Sequence, residues 1–86
     1  MVNQKIASDN RVTLYTTPTC VYCKIAKEFF RKHNISFREV DVFADLDARE
    51  EMFSKSHQMG VPVIEIGDEI FVGFDRAIVA RALRIS

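Results

Sequence analysis

The chain has 86 residues, with 12 Lys and Arg against 12 Asp and Glu and 48% hydrophobic side chains. At little more than half of an average 100–200-residue domain, it has room for one domain only. A formal charge of zero lacks the positive excess on which non-specific binding to nucleic acid or anionic membranes relies, and the hydrophobic fraction is too high for disorder.

Residues 1–10, Met1-Val2-Asn3-Gln4-Lys5-Ile6-Ala7-Ser8-Asp9-Asn10, read as a polar lead-in to a single domain over 11–86. They contain no apolar h-region, so no secretory signal is visible, and no stretch reaches the ~20 apolar residues of a membrane span. A cytoplasmic, monomeric protein with no nucleic-acid or membrane partner is the expectation. Arg11–Tyr15 is β-branched and aromatic and runs into Thr16-Thr17-Pro18-Thr19, which predicts a strand and a turn. From Cys20 to about His33, the i,i+4 pairs Ile25/Phe29 and Ala26/Phe30 predict an amphipathic helix with cations toward its end and Asn34 as its stop. Ser36–Val42 alternates as a second strand. Asp45 or Asp47 caps a second helix, with Leu46, Met52, Phe53 and Met59 as candidate apolar positions. Val61–Ile66 and Glu69–Val72 form a hairpin about Gly67-Asp68. After Gly73, a third amphipathic helix carries Phe74, Ile78, Val79, Ala82 and Leu83. The order β-α-β-α-β-β-α gives an α/β domain with one sheet and helices against it.

Cys20 and Cys23 form a C-x-x-C, a spacing that two randomly placed cysteines adopt about 2% of the time. One bridge cannot hold a disulfide scaffold together, and a loop this short stabilises by only about 2 kcal/mol. The pair is better suited to opening and closing. At a strand–helix junction Cys20 meets unpaired N–H groups and the positive end of the helix dipole, both favouring thiolate. Cys23 lies a turn further in and is expected to be more buried. Cys20 is thus the candidate nucleophile and Cys23 the resolving thiol. Residues 1–40 carry a net +4, 41–70 a net −6 and the rest +2. The basic part surrounds the cysteines, where it would favour a thiolate or an anionic substrate, unless these charges are simply solvated helix faces.

Two other uses of the pair are possible. A zinc site requires two further ligands, and His33 and His57 read instead as surface residues near helix C-termini. An iron–sulfur cluster shared between two chains would take Cys20 and an external thiol. No metal ligand is assigned.

The segments Tyr15-Thr16-Thr17-Pro18-Thr19-Cys20-Val21-Tyr22-Cys23, Gly60-Val61-Pro62-Val63 and Gly73-Phe74-Asp75 together resemble the glutaredoxins. The resemblance covers about Arg11 to Leu83. It implies a thioredoxin fold, with a four-stranded mixed sheet flanked by three helices, and reduction of protein or glutathione mixed disulfides through Cys20 and Cys23. It also implies no permanently bound cofactor and glutathione as reducing co-substrate. By the same resemblance the Val61-Pro62 bond is cis and faces Cys20, and the Val61 backbone pairs with an extended substrate. Thr17 and Tyr22 line the groove, Gly73 and Phe74 lie at the ligand, and Asp75 receives the amino group of glutathione. Read without the family, Gly73 is a strand–helix turn and Asp75 a helix-start acid.

There are departures. Val21 replaces the Pro of C-P-Y-C, Thr17 a Lys, Gln58-Met59-Gly60 a segment with an Arg, Val72 the first of two glycines and Arg76 a second acid. The lost Pro and the Gly-Phe pair are similar to redoxins that feed electrons to ribonucleotide reductase and are recharged by thioredoxin reductase. That role and an iron–sulfur carrier are the alternatives to the glutathione-dependent reading.

Overall fold

The computed structural model describes residues 11–85; the 1–10 lead-in lies outside them. The chain forms β1 (Val12–Thr16), α1 (Val21–Lys32), β2 (Arg38–Asp41), α2 (Leu46–Ser56), β3 (Val63–Ile66), β4 (Glu69–Val72) and α3 (Arg76–Leu83). The sheet order is β2-β1-β3-β4, with β1 parallel to β2 and antiparallel to β3, and β3 antiparallel to β4. This is the mixed four-stranded sheet with three helices of the thioredoxin fold.

Strand alternation sorts the core into two layers, because successive side chains leave opposite faces of a sheet. Val12 and Leu14 of β1 join Ile64 and Ile66 of β3 under Ala26, Phe29 and Phe30 of α1 and Val79 and Leu83 of α3. Tyr15 and Val63 point the other way, to Ala48 and Met52 of α2 with Val40 and Val42. The interface α2 makes is narrower than its sequence suggests. Leu46 and Phe53 are exposed, and Met59 lies beyond the end of α2 and is exposed too. Only the i,i+4 pair Ala48/Met52 is buried on that helix, a single stripe for a single neighbouring sheet face. Ile25 and Ile78 likewise turn outward, since 100° per residue carries Ile25 off the stripe set by Cys23, Ala26 and Phe30.

Helix ends follow local chemistry. Asp45, rather than Asp47, caps α2, its side chain accepting from Ala48 N at 3.1 Å. Asn34 stops α1 in a left-handed conformation (φ 57°). Ile35 N donates to Phe30 O at 2.8 Å and Asn34 N to Arg31 O at 3.1 Å, the two bonds of a Schellman motif. Arg31 and Lys32 fill the last turn, where the helix dipole favours cations. His33 departs from the surface position expected of it: its Nε2 is buried without a hydrogen-bond partner, and its ring lies 4.5 Å from that of Phe29. His57 is exposed, as expected. β2 starts at Arg38 rather than Ser36, because Thr13↔Arg38 is the first pair β1 offers it.

Candidate active site

The site forms where β1 hands the chain to α1. After Thr16 the chain turns, and Cys20 N donates to Thr17 O at 3.3 Å. Cys20 has an extended backbone (φ −82°, ψ 114°) and caps α1, its Sγ accepting from Cys23 N at 3.1 Å. A serine or threonine at this position would cap with an oxygen; here a sulfur takes that place, among the orphan amides of the first turn. Both cysteines are free thiols, Cys20 partly exposed and Cys23 buried. Burial pushes the Cys23 thiol up to about 12, and its hydrogen bond with Cys20 adds to the rise. Its proton is therefore held more tightly than that of an ordinary thiol, while Cys20 is the accessible sulfur.

A cavity of about 330 Å³ opens beside the pair, lined by Thr17, Cys20, Cys23, Lys24 and Lys27 on one side and by Glu39 and Asp41 of β2 on the other. Lys27 Nζ sits 2.9 Å from Glu39 Oε2, and Thr16 Oγ1 lies 3.4 Å from the same oxygen. Asp41 spends Oδ1 on the N–H groups of Phe43 and Ala44, at 2.8 and 3.2 Å. The basic surroundings suggested by the sequence therefore meet two carboxylates from β2. Cys23 and Lys27 share a helix face by their i,i+4 spacing, and Glu39 and Asp41 share a strand face by their spacing of two. Those spacings were the signals available for the Lys27–Glu39 side of the cavity, which sequence reasoning left out.

The second and third motifs meet at Pro62. The Val61–Pro62 bond is cis, Pro62 is buried, and its carbonyl accepts from Gly73 N at 2.8 Å. Antiparallel pairing of Tyr15 with Val63 sets this segment alongside the β1 end that leads to Cys20. Gly73 has φ +84°, and a Cβ there would meet nothing within 4 Å, so the backbone conformation and not crowding accounts for glycine. Tyr22 is exposed on the first turn of α1. The Phe74 ring is half-buried 5.5 Å from that of Phe29. Asp75 caps α3, Oδ1 accepting from Ala77 N at 3.1 Å and Ile78 N at 3.3 Å. Thr17, Cys20 and Cys23 thus line one cavity, while Val61, Pro62 and Gly73 form a bonded segment and Asp75 is committed to the start of α3.

Residues 12–72 match the Glutaredoxin family. The chain belongs to the glutaredoxin family. It is 50% identical over 66 residues to a glutaredoxin-like 8.6 kDa protein of the rubredoxin operon of Clostridium pasteurianum, spanning 77% of this chain and 88% of that protein. To glutaredoxin 3 of Escherichia coli it is 36% identical over 64 residues, 74% of this chain and 77% of the relative. Among solved structures it superposes on the glutaredoxin-like NrdH-redoxin of Escherichia coli, whose structure was described as the basis of a thioredoxin-like activity profile. The TM-score is 0.75 at 27% identity, over 83% of this chain and 92% of the other. As a glutaredoxin with a C-x-x-C, the protein is a thiol–disulfide oxidoreductase. Among the described residues no helix is long and apolar enough to cross a membrane, and no group of three or more His, Cys, Asp or Glu is placed to hold a metal ion.

Proposed function

We propose that this glutaredoxin reduces protein disulfides by a dithiol cycle begun at Cys20, and that an enzyme dithiol of the thioredoxin reductase kind, rather than glutathione, restores it. Cys20 thiolate attacks one sulfur of a substrate disulfide; that bond breaks, and the departing thiolate takes up a proton. Cys23 then gives up its proton and attacks Cys20 Sγ. A Cys20–Cys23 disulfide forms and the second substrate thiol leaves, so two electrons have passed to the substrate. The reductant's dithiol reverses the oxidation. The extended partner lies along Val61, beside Cys20. The cycle suits a monomer in a reducing cytoplasm.

The charge of the site is the observation that carries the choice of reductant. Glutathione is a small anion with two carboxylates. The positions at which glutathione-using glutaredoxins present cations hold Thr17 and the Gln58-Met59-Gly60 segment here, Lys27 is already paired with Glu39, and Asp41 adds a second carboxylate to the cavity wall that also carries Lys24. A charge-assisted contact contributes about 1.5–3 kcal/mol, which neither Thr17 nor that uncharged segment supplies. The activity profile described for the NrdH-redoxin supports the same reading. To test it, the oxidised protein is offered either glutathione with glutathione reductase or thioredoxin reductase with NADPH. Turnover in the second system alone is expected; turnover with glutathione alone overturns the choice of reductant. A Cys20→Ser protein that still reduces insulin at the unmutated rate overturns the cycle itself.

A further inference from the structure

We infer that Gln58 is a positioning residue for substrate capture: its side-chain amide clamps Gly60 and so fixes the backbone of Val61 where a partner chain is received. The inference rests on the reading that Val61 receives that chain. Gln58 Oε1 accepts from Gly60 N at 2.7 Å, and Nε2 donates to Gly60 O at 3.2 Å and to Ser56 Oγ at 3.1 Å. Ser56 Oγ in turn lies 2.8 Å from the carbonyl of Met52, a residue with no exposed surface. An exposed loop is thereby tied, through two side chains, to the buried face of α2.

The clamp leaves Val61 singled out. Both backbone polar groups of Gly60 are spent on Gln58, and the carbonyl of Pro62 is spent on Gly73 N. Among the described residues no hydrogen bond engages the N–H or C=O of Val61. A strand-forming partner therefore finds one free donor and one free acceptor, held from both sides. An unpaired backbone group at a buried contact costs about 1–3 kcal/mol, so a partner gains most when these two groups already point correctly. The glycine at 60 belongs to the same device. It does not share the positive φ of Gly67 and Gly73, yet a Cβ there would stand 2.9 Å from Gln58 Oε1. Residue 60 is small so that the clamp can close.

The test uses Cys23→Ser protein, which stops at the mixed disulfide. Its rate of reaction is measured with 2,2′-dipyridyl disulfide, with an extended peptide disulfide, and with the same peptide N-methylated beside its cysteine. The expected result is a ratio of peptide rate to dipyridyl rate about tenfold lower in Gln58→Ala, the loss of roughly one hydrogen bond's worth of positioning. Gln58→Glu, which keeps the acceptor for Gly60 N and loses both donors, falls between. Gly60→Ala lowers the ratio in the parent but not further in Gln58→Ala, because the contact it disturbs is already gone. An unchanged ratio in Gln58→Ala, or additive effects at 58 and 60, overturns the clamp. A parent that takes both peptides equally overturns Val61 as the receiving residue and the clamp's role with it. A parent that discriminates, with a Gln58→Ala variant that does so at the same ratio, overturns the clamp alone.

Discussion

The backbone N–H of Cys23 points at the sulfur of Cys20, 3.1 Å away, so the helix turn that buries one thiol also holds the other. The two sulfurs are thereby given different tasks by one hydrogen bond and one difference in burial. Cys20→Ser is expected to abolish insulin reduction. Cys23→Ser is expected to retain the first attack and to accumulate a covalent adduct with the substrate. Mass spectrometry of the quenched reaction checks this, and an adduct on Cys20→Ser in place of Cys23→Ser would reverse the assignment.

The raised Cys23 thiol makes the reduced protein sensitive to alkali. Its ordinary value of 9.0 rises to about 12 in the fold, so between those values the unfolded chain has released a proton that the fold retains. Stability attributable to Cys23 is complete below pH 9.0 and is lost as pH climbs toward 12. Tyr15 and Lys55 are also shifted upward, from 10.0 and 10.5, and add to the loss at higher pH. Urea midpoints of reduced protein should therefore fall above pH 9.0, and Cys23→Ala should flatten the first part of that fall, before the other two groups titrate. An equally steep fall in Cys23→Ala would remove Cys23 as its source.

What could be read in the sequence was local. Cys20 and Cys23 three residues apart, Pro62 ahead of a β-branched run and Gly73 after one each declare themselves within a few positions, and the element order follows from periodicity. Asn34 as a helix stop is a single-residue signal of the same kind. The rest depends on which surfaces meet. Nothing near Leu46 or Phe53 says that α2 buries only Ala48 and Met52, because the sheet face that decides it is built from Tyr15, Val40 and Val63. Glu39 reaches the wall of the cysteine cavity only because β2 pairs with β1 in one register, Leu14 opposite Glu39. The Gln58-Met59-Gly60 segment is legible as one that lacks a cation, while the clamp of Gln58 on Gly60 requires coordinates.

Lys55 joins residues that the sequence keeps 40 and 10 positions apart. Its Nζ lies 3.2 Å from the Tyr15 hydroxyl, 2.8 Å from Glu65 Oε1 and 3.0 Å from Glu51 Oε2. The bond to Glu65 and those to Glu51 and Tyr15 raise the Lys55 pKa against a burial that opposes it, so the ammonium is retained far into alkali. Lys55→Met keeps the stem that packs beside Tyr15 and removes the charge. It should lower stability by about 1–2 kcal/mol, the value of partly exposed ion pairs together with a phenol left without its partner. Chemical denaturation at neutral pH measures this, and turnover corrected for the folded fraction should be unaffected, because Lys55 lies on the α2 face of the sheet away from the cysteine cavity.

Asp75 separates two roles that a single substitution would confuse. Its Oδ1 caps α3 through Ala77 N and Ile78 N, and its charge lies at the helix end where a carboxylate is favoured. Asp75→Ala removes cap and charge together and should cost about 1 kcal/mol of stability. Asp75→Asn keeps an oxygen that can cap, so it should restore most of that loss while leaving no carboxylate to hold an amino group. If the protein is recharged by an enzyme dithiol, Asp75→Asn should turn over with thioredoxin reductase and NADPH at close to the unmutated rate. A loss of more than tenfold in the glutathione system, confined to the charge-removing variants and matched by a wild-type protein that uses glutathione well, would instead assign the carboxylate to glutathione's amino group.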